Sequence, residues 1–176
     1  MVRNISLTFL VLLLHANNAI IGETIKPKIA IVVSVYHESI AEKLLEGATG
    51  CLYKNGLGPE DISIAYIPGA FEIPFTAKLL AATKRFDAII CLGAIQTSNN
   101  LHWSYLTDHV CKNIADVSLT FDIPVAYGIF LFSSKEEGQE LANSVEKNRG
   151  WEAAQAAVTM IGLVKQIKRF AATEAE

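Results

Sequence analysis

With 176 residues, of which 51% are hydrophobic and 19% charged, the chain is the size of one domain and can bury a core without disulfide or metal staples. That composition excludes a disordered chain, and a net charge of -3 excludes the basic footprint of a nucleic-acid partner. Cys51, Cys91 and Cys111 are odd in number, widely spaced and set in apolar surroundings, which predicts buried thiols rather than a disulfide framework or a zinc site. C-x-x-C, H-E-x-x-H, EF-hand and Walker A patterns are missing, and His15, His37, His102 and His109 lack metal-ligand spacing, so no metal is expected.

The cysteine usage suggests a cytoplasmic body, but the first residues pull the other way. Arg3 precedes the apolar run 5–14, and small or polar residues follow through Ala19, as in the three regions of a signal peptide. The run is too short to span a bilayer as a helix, so no membrane partner is expected. Residues 1–22 therefore read either as a leader, with an organelle or secretion as destination, or as an apolar arm packing on a neighbouring subunit. Residues 23–176 read as the domain.

From Pro27 the pattern is strand, helix, strand, helix. Residues 29–35 form a continuous β-branched apolar run, the mark of a strand buried on both faces. Ile40, Leu44, Leu45, Ala48, Cys51 and Leu52 then recur at helical spacing, and Asn55-Gly56 supplies a stop. Residues 62–67 form a second strand. It closes on the corner Ile67-Pro68-Gly69-Ala70-Phe71-Glu72-Ile73-Pro74, where Gly69 lets the backbone turn and leaves room for a ligand, while Pro74 suits a first helical turn.

A third strand covers 88–92 and ends at Gly93, followed by the loop 96–100. His102 sits just ahead of a helix whose Leu106, Val110, Ile114, Val117 and Phe121 fall on one stripe. Residues 124–132 read as a fourth strand. Ser134 and Glu137 form a capping box for a short helix containing Leu141 and Val145. Trp151, Ala154, Ala157, Val158, Ile161 and Val164 line a last helix, before a charged tail from Lys165. Four apolar strands alternating with helices predict a three-layer α/β/α sandwich around a four-stranded parallel sheet, because parallel strands need right-handed crossovers that cover both faces.

In such a sheet the loops after the strands converge on one edge. That gathers residues 36–38, 69–72, 96–102 and 132–134 into one candidate site with flat rings, carboxylates and a histidine able to move protons. Ser98 and Ser104 lie outside any nucleophile elbow. Each member also has a plainer reading: His102 as a cap or surface residue, Tyr36 and Phe71 as core, Glu38 and Glu72 as complements to helix dipoles.

Beyond these patterns, the chain from about residue 17 to 172 resembles the 6,7-dimethyl-8-ribityllumazine synthases. The resemblance rests on Pro68-Gly69-Ala70-Phe71-Glu72-Ile73-Pro74, on Leu92-Gly93-Ala94-Ile95, on His102 nine residues after Gly93, and on Asn148-Arg149-Gly150-Trp151-Glu152-Ala153-Ala154. It implies the flavodoxin-like lumazine synthase fold and a cofactor-free condensation of 5-amino-6-(ribitylamino)uracil with 3,4-dihydroxy-2-butanone 4-phosphate in riboflavin biosynthesis. Tyr36 matches the ring that stacks on the pyrimidine. His37, where the family usually has Asn, and Glu72 match the ribityl side, and Ala70 and Phe71, beside Gly69, match backbone contacts. Ala94 and Ile95 belong to the third-strand motif, and His102 matches the proton-transfer histidine. Tyr127 matches an aromatic from the adjacent subunit, which implies sites between subunits of a homo-oligomer, a pentamer or a sixty-subunit shell.

The departures fall on the phosphate half. The family's R-G-E/A-T-x-H is Thr97-Ser98-Asn99-Asn100-Leu101-His102 here, leaving Ser98, Asn99 and Asn100 as uncharged donors. An ungapped count from Asn148 puts Leu141 at the phosphate-binding arginine and Val145 where lysine is common, with Arg149 retained nearby. A hydrogen bond to a charged group contributes about 1.5–3 kcal/mol, so weak or lost phosphate binding is expected. Two further readings follow: a non-catalytic paralogue that binds flavin or lumazine or builds a shell, and an enzyme using a non-phosphorylated partner.

Overall fold

The computed structural model describes residues 26–97, 101–143 and 148–173, with Leu101, His102, Lys135, Leu141, Ala142 and Thr173 described by backbone alone. The apolar leader or arm at residues 1–22 lies outside the described residues.

Four strands form one parallel sheet: β1 (Ile29–Ser34), β2 (Ile62–Ile67), β3 (Ala88–Gln96) and β4 (Val125–Phe132), in the order β2-β1-β3-β4. Among the described residues five α-helices flank them: α1 (Glu38–Lys54), α2 (Ile73–Ala82), α3 (Leu101–Phe121), α4 (Lys135–Asn143) and α5 (Arg149–Thr173). The continuous apolar runs belong to the two central strands. Every residue of β1 is buried, as are all of β3 but Gln96, because helices cover both faces. At the edge, β2 leaves Ile64 and Tyr66 exposed.

The two faces carry separate cores. Ile29, Ile31, Val33, Ile90 and Leu92 pack with α1 and α5, while Ala30, Val32, Ile89 and Cys91 pack with α2 and α3. On α3, Val110, Ile114 and Val117 are buried and Leu106 and Phe121 pack partly against them, as the stripe predicts. Cys51 and Cys91 are buried, but Cys111 is exposed, contrary to the expectation of three buried thiols. It follows Val110 by one residue, about 100° around the helix, and so turns off the core-facing stripe.

Several boundaries move for tertiary reasons. The third strand runs past Gly93 to Gln96, because β4 pairs with it from Ile89↔Val125 to Gln96↔Phe132. A β-carbon at Gly93 would meet Ile73 Cδ1 at 3.3 Å, so this glycine makes room for α2 rather than ending the strand. The helix α3 begins at Leu101, placing His102 within its first turn instead of ahead of it. The last helix takes in most of the charged tail, running to Thr173. At α4, Ser134 Oγ accepts from the Glu137 N–H at 3.2 Å, but the Glu137 carboxylate reaches back to Ser133, accepting from its N–H at 2.7 Å and its hydroxyl at 2.5 Å. The expected reciprocal bond to Ser134 is thus displaced by one residue. No described helix is long and apolar enough to cross a membrane.

Candidate functional site

The carboxyl ends of the strands are tied together before their loops diverge. Val35 N–H donates to the Ile67 carbonyl at 3.0 Å, joining the β1 and β2 ends, and Thr97 donates through N–H and hydroxyl to the Phe132 carbonyl at 2.7 and 3.2 Å, joining β3 and β4. This fixed edge carries a cleft of about 250 Å³.

Three stretches build it. After β1, Tyr36 and His37 enter at the start of α1, whose first turn the His37 carbonyl caps by accepting from Ile40 and Ala41. The His37 ring sits edge-on between two others, 5.0 Å from Tyr36 and 5.1 Å from Phe132 by centroid. After β2 come Gly69, Ala70, Phe71 and Glu72. Ala94, Ile95 and Gln96 close the floor at the end of β3, with Trp103 and Leu106 reaching in from α3.

The rings are presented rather than packed away: Tyr36 is 69% exposed and Phe71 59%, while Ala70, Ala94 and Ile95 beneath them are buried. An apolar floor, exposed flat rings and one carboxylate suit a planar heteroaromatic ligand with N–H or hydroxyl donors. Glu72 is the one carboxylate lining the cleft among the described residues, and none of its described lining residues is Lys or Arg.

The corner glycine lines the cleft, but the turn does not depend on its conformational freedom. Gly69 has φ -148 and ψ 172, extended backbone open to any residue. Its missing β-carbon instead leaves space for the Glu72 carboxylate, whose oxygen would lie 3.0 Å from it. Pro74 does occupy the first turn of α2.

Tyr127 and Arg149 are not brought to this cleft. They line a separate cavity of about 540 Å³ around the free edge of β4, with Leu131, Phe130 and Glu152. Arg149 Nη1 there pairs with Glu152 Oε2 at 2.6 Å. Burial pushes the Tyr127 hydroxyl above its ordinary range, with the Cys111 thiol adding to the effect. Ser98, Asn99, Asn100 and Val145 lie outside the described residues, and His102 and Leu141 are placed only by backbone, on the first turn of α3 and on α4.

Trp103 and Leu106 escaped the sequence-based selection of site residues, whereas Gln96 stood in it only as part of the stretch 96–102. Gln96 had been placed in the loop because β3 was expected to stop at Gly93, and Leu106 was assigned to the core stripe alone. Another unselected residue is His109, whose ring stacks on Phe71 with centroids 5.0 Å apart and planes inclined by 11°. Its signal was its position three residues after Leu106, on the α3 face that meets α2.

A four-stranded parallel sheet between helical layers, with its cleft at the carboxyl edge, is of the flavodoxin-like α/β class. Within that class, the model of the 6,7-dimethyl-8-ribityllumazine synthase family matches residues 26–165. The chain belongs to that family of riboflavin-biosynthesis transferases.

Proposed function

We propose that the protein is a 6,7-dimethyl-8-ribityllumazine synthase that condenses 5-amino-6-(ribitylamino)uracil with 3,4-dihydroxy-2-butanone 4-phosphate. The observation that carries this reading is the cleft itself, where the exposed Tyr36 and Phe71 rings and the Glu72 carboxylate stand over an apolar floor. In this role Tyr36 stacks on the pyrimidine, and Glu72 and His37 take the ribityl hydroxyls. Ala70, Phe71, Ala94 and Ile95 hold the ring through backbone and van der Waals contact. Forming the imine, eliminating phosphate and closing the second ring each move a proton, and His102 is the residue assigned to that work. No cofactor takes part.

Tyr127 and Arg149 serve the site of an adjacent copy. Their separation from the cleft within one chain supports a homo-oligomer, since a second subunit laying its β4 edge beside the first brings both to the ligand. Exposed Tyr66, Phe75 and Leu79, together with Leu131 at that edge, provide apolar surface for such a contact. A pentamer, or a shell of twelve pentamers, is the assembly proposed.

A second reading has its own support. The described lining of the cleft holds no Lys or Arg, and Leu141 and Val145 stand where cationic phosphate ligands are expected. On that reading the protein binds a lumazine or flavin without turnover, or condenses a partner that has no phosphate. Turnover with both substrates decides between them. Lumazine formation by the wild type, with Leu141→Arg lowering KM for the phosphate substrate, supports the synthase; binding of the pyrimidine without product supports the second reading.

A further inference from the structure

Phe71 is a wall with two sides. One side lines the cleft at the sheet edge, and the other lines a groove between α2 and α3 together with Pro74, His109 and Asn113. On the groove side the His109 imidazole lies nearly parallel to the phenyl ring, 5.0 Å from it by centroid and inclined by 11°. At that separation parallel rings are offset-stacked, the arrangement aromatic pairs favour.

The imidazole is itself anchored. Asn113, one helical turn on, donates from Nδ2 to the His109 carbonyl at 2.7 Å, and the same nitrogen lies 3.3 Å from Nδ1 of the ring. A phenyl ring that is 59% exposed has few packing contacts to hold its rotamer. The stack supplies one on the side away from the ligand.

We infer that His109 is a positioning residue of the ring-binding cleft, holding Phe71 where a planar ligand meets it. The inference rests on the reading of the cleft as the pyrimidine site. Its effect is specific: the stack acts on the ring-bearing ligand, whereas the phosphate-bearing partner gains nothing from it.

Two variants and two measurements test the assignment. His109→Ala removes the stack, and His109→Phe keeps a flat ring in the same place. In the unliganded protein, NMR of the ring-labelled Phe71 should report one rotamer in the wild type and in His109→Phe, and averaging in His109→Ala. Titration with 6,7-dimethyl-8-ribityllumazine should show about two- to tenfold weaker binding for His109→Ala and near wild-type binding for His109→Phe. In turnover the loss should appear in KM for the pyrimidine and leave KM for the butanone phosphate unchanged. Wild-type affinity and an unchanged Phe71 ring in His109→Ala would overturn the inference. Failure of the wild type to bind the lumazine would sink the pyrimidine reading instead, and the Phe71 rotamer would then decide the positioning role alone.

Discussion

Gly150 lies so close to Leu44 that a β-carbon on the glycine would overlap the leucine's carbonyl oxygen. This contact seats the first turn of α5 on the backbone of α1, and Asn148 locks it. The Asn148 Nδ2 donates to the Lys43 carbonyl at 2.9 Å, while its Oδ1 accepts from the N–H groups of Gly150 at 2.9 Å and Trp151 at 3.2 Å. One buried amide thus caps a helix and ties it to its neighbour. The run from Asn148 to Gly150 is accordingly a docking device.

Gly150→Ala should therefore destabilise the fold by about 1–3 kcal/mol through overpacking. Gly162, in the same helix, has open space around its α-carbon. There the same substitution should stabilise by about 0.5–1 kcal/mol through helix propensity. Urea unfolding of the two variants checks the contrast; equal effects would show that the Gly150 seat relaxes without cost.

If the cleft binds a planar ring as proposed, Tyr36→Ala and Phe71→Ala should cost that binding far more than the fold. Both side chains are exposed, and substitutions at such positions change stability within about 0.5 kcal/mol. Losing a stacking ring should weaken lumazine binding by roughly tenfold. Fluorescence titration beside a thermal melt separates the two quantities, and a large drop in the melting temperature would return these rings to the core.

Acid should act on the fold through Asp61. Its carboxylate accepts from the Gly58 N–H at 2.9 Å and from Lys28 Nζ at 2.7 Å, and Lys26 stands 3.9 Å away. The Gly58 hydrogen bond first, then Lys28, hold its pKa below the ordinary carboxylate value. A folded-state pKa below the unfolded one gives stability that is present above the unfolded value, about 3.9, and lost as pH falls through the folded one. Melting temperatures of the wild type should fall on that acid limb more steeply than those of Asp61→Asn, and parallel curves would contradict the assignment.

Thiol chemistry should rank the cysteines by burial. Desolvation pushes Cys91 up to about 12 and raises Cys51 as well, whereas Cys111 is exposed on α3. Under native conditions at mildly alkaline pH, alkylation should mark Cys111 first and reach Cys91 only on unfolding. Mass spectrometry of the labelled peptides reads the order.

Much of the fold was legible because parallel strands and amphipathic helices leave local signatures. The run 29–35 and the α3 stripe are periodic in the chain, and each became the element its period implied. Boundaries were less legible where pairing set them. The extension of β3 to Gln96 depends on β4, more than thirty residues away in the chain, and no local pattern around Gly93 records it.

The sequence by itself determined the α/β class, the carboxyl-edge corner at 67–74 and the rings it offers, because strand and helix periods and turn residues are local properties. The tertiary structure decided how those pieces meet. It placed β1 between β2 and β3, which puts Tyr36 and His37 beside Phe71 and Glu72 in one cleft. It also left Tyr127 and Arg149 in another cavity on the free β4 edge and set His109 behind Phe71. These outcomes depend on strand order and helix seating, long-range contacts that form only when the whole chain packs.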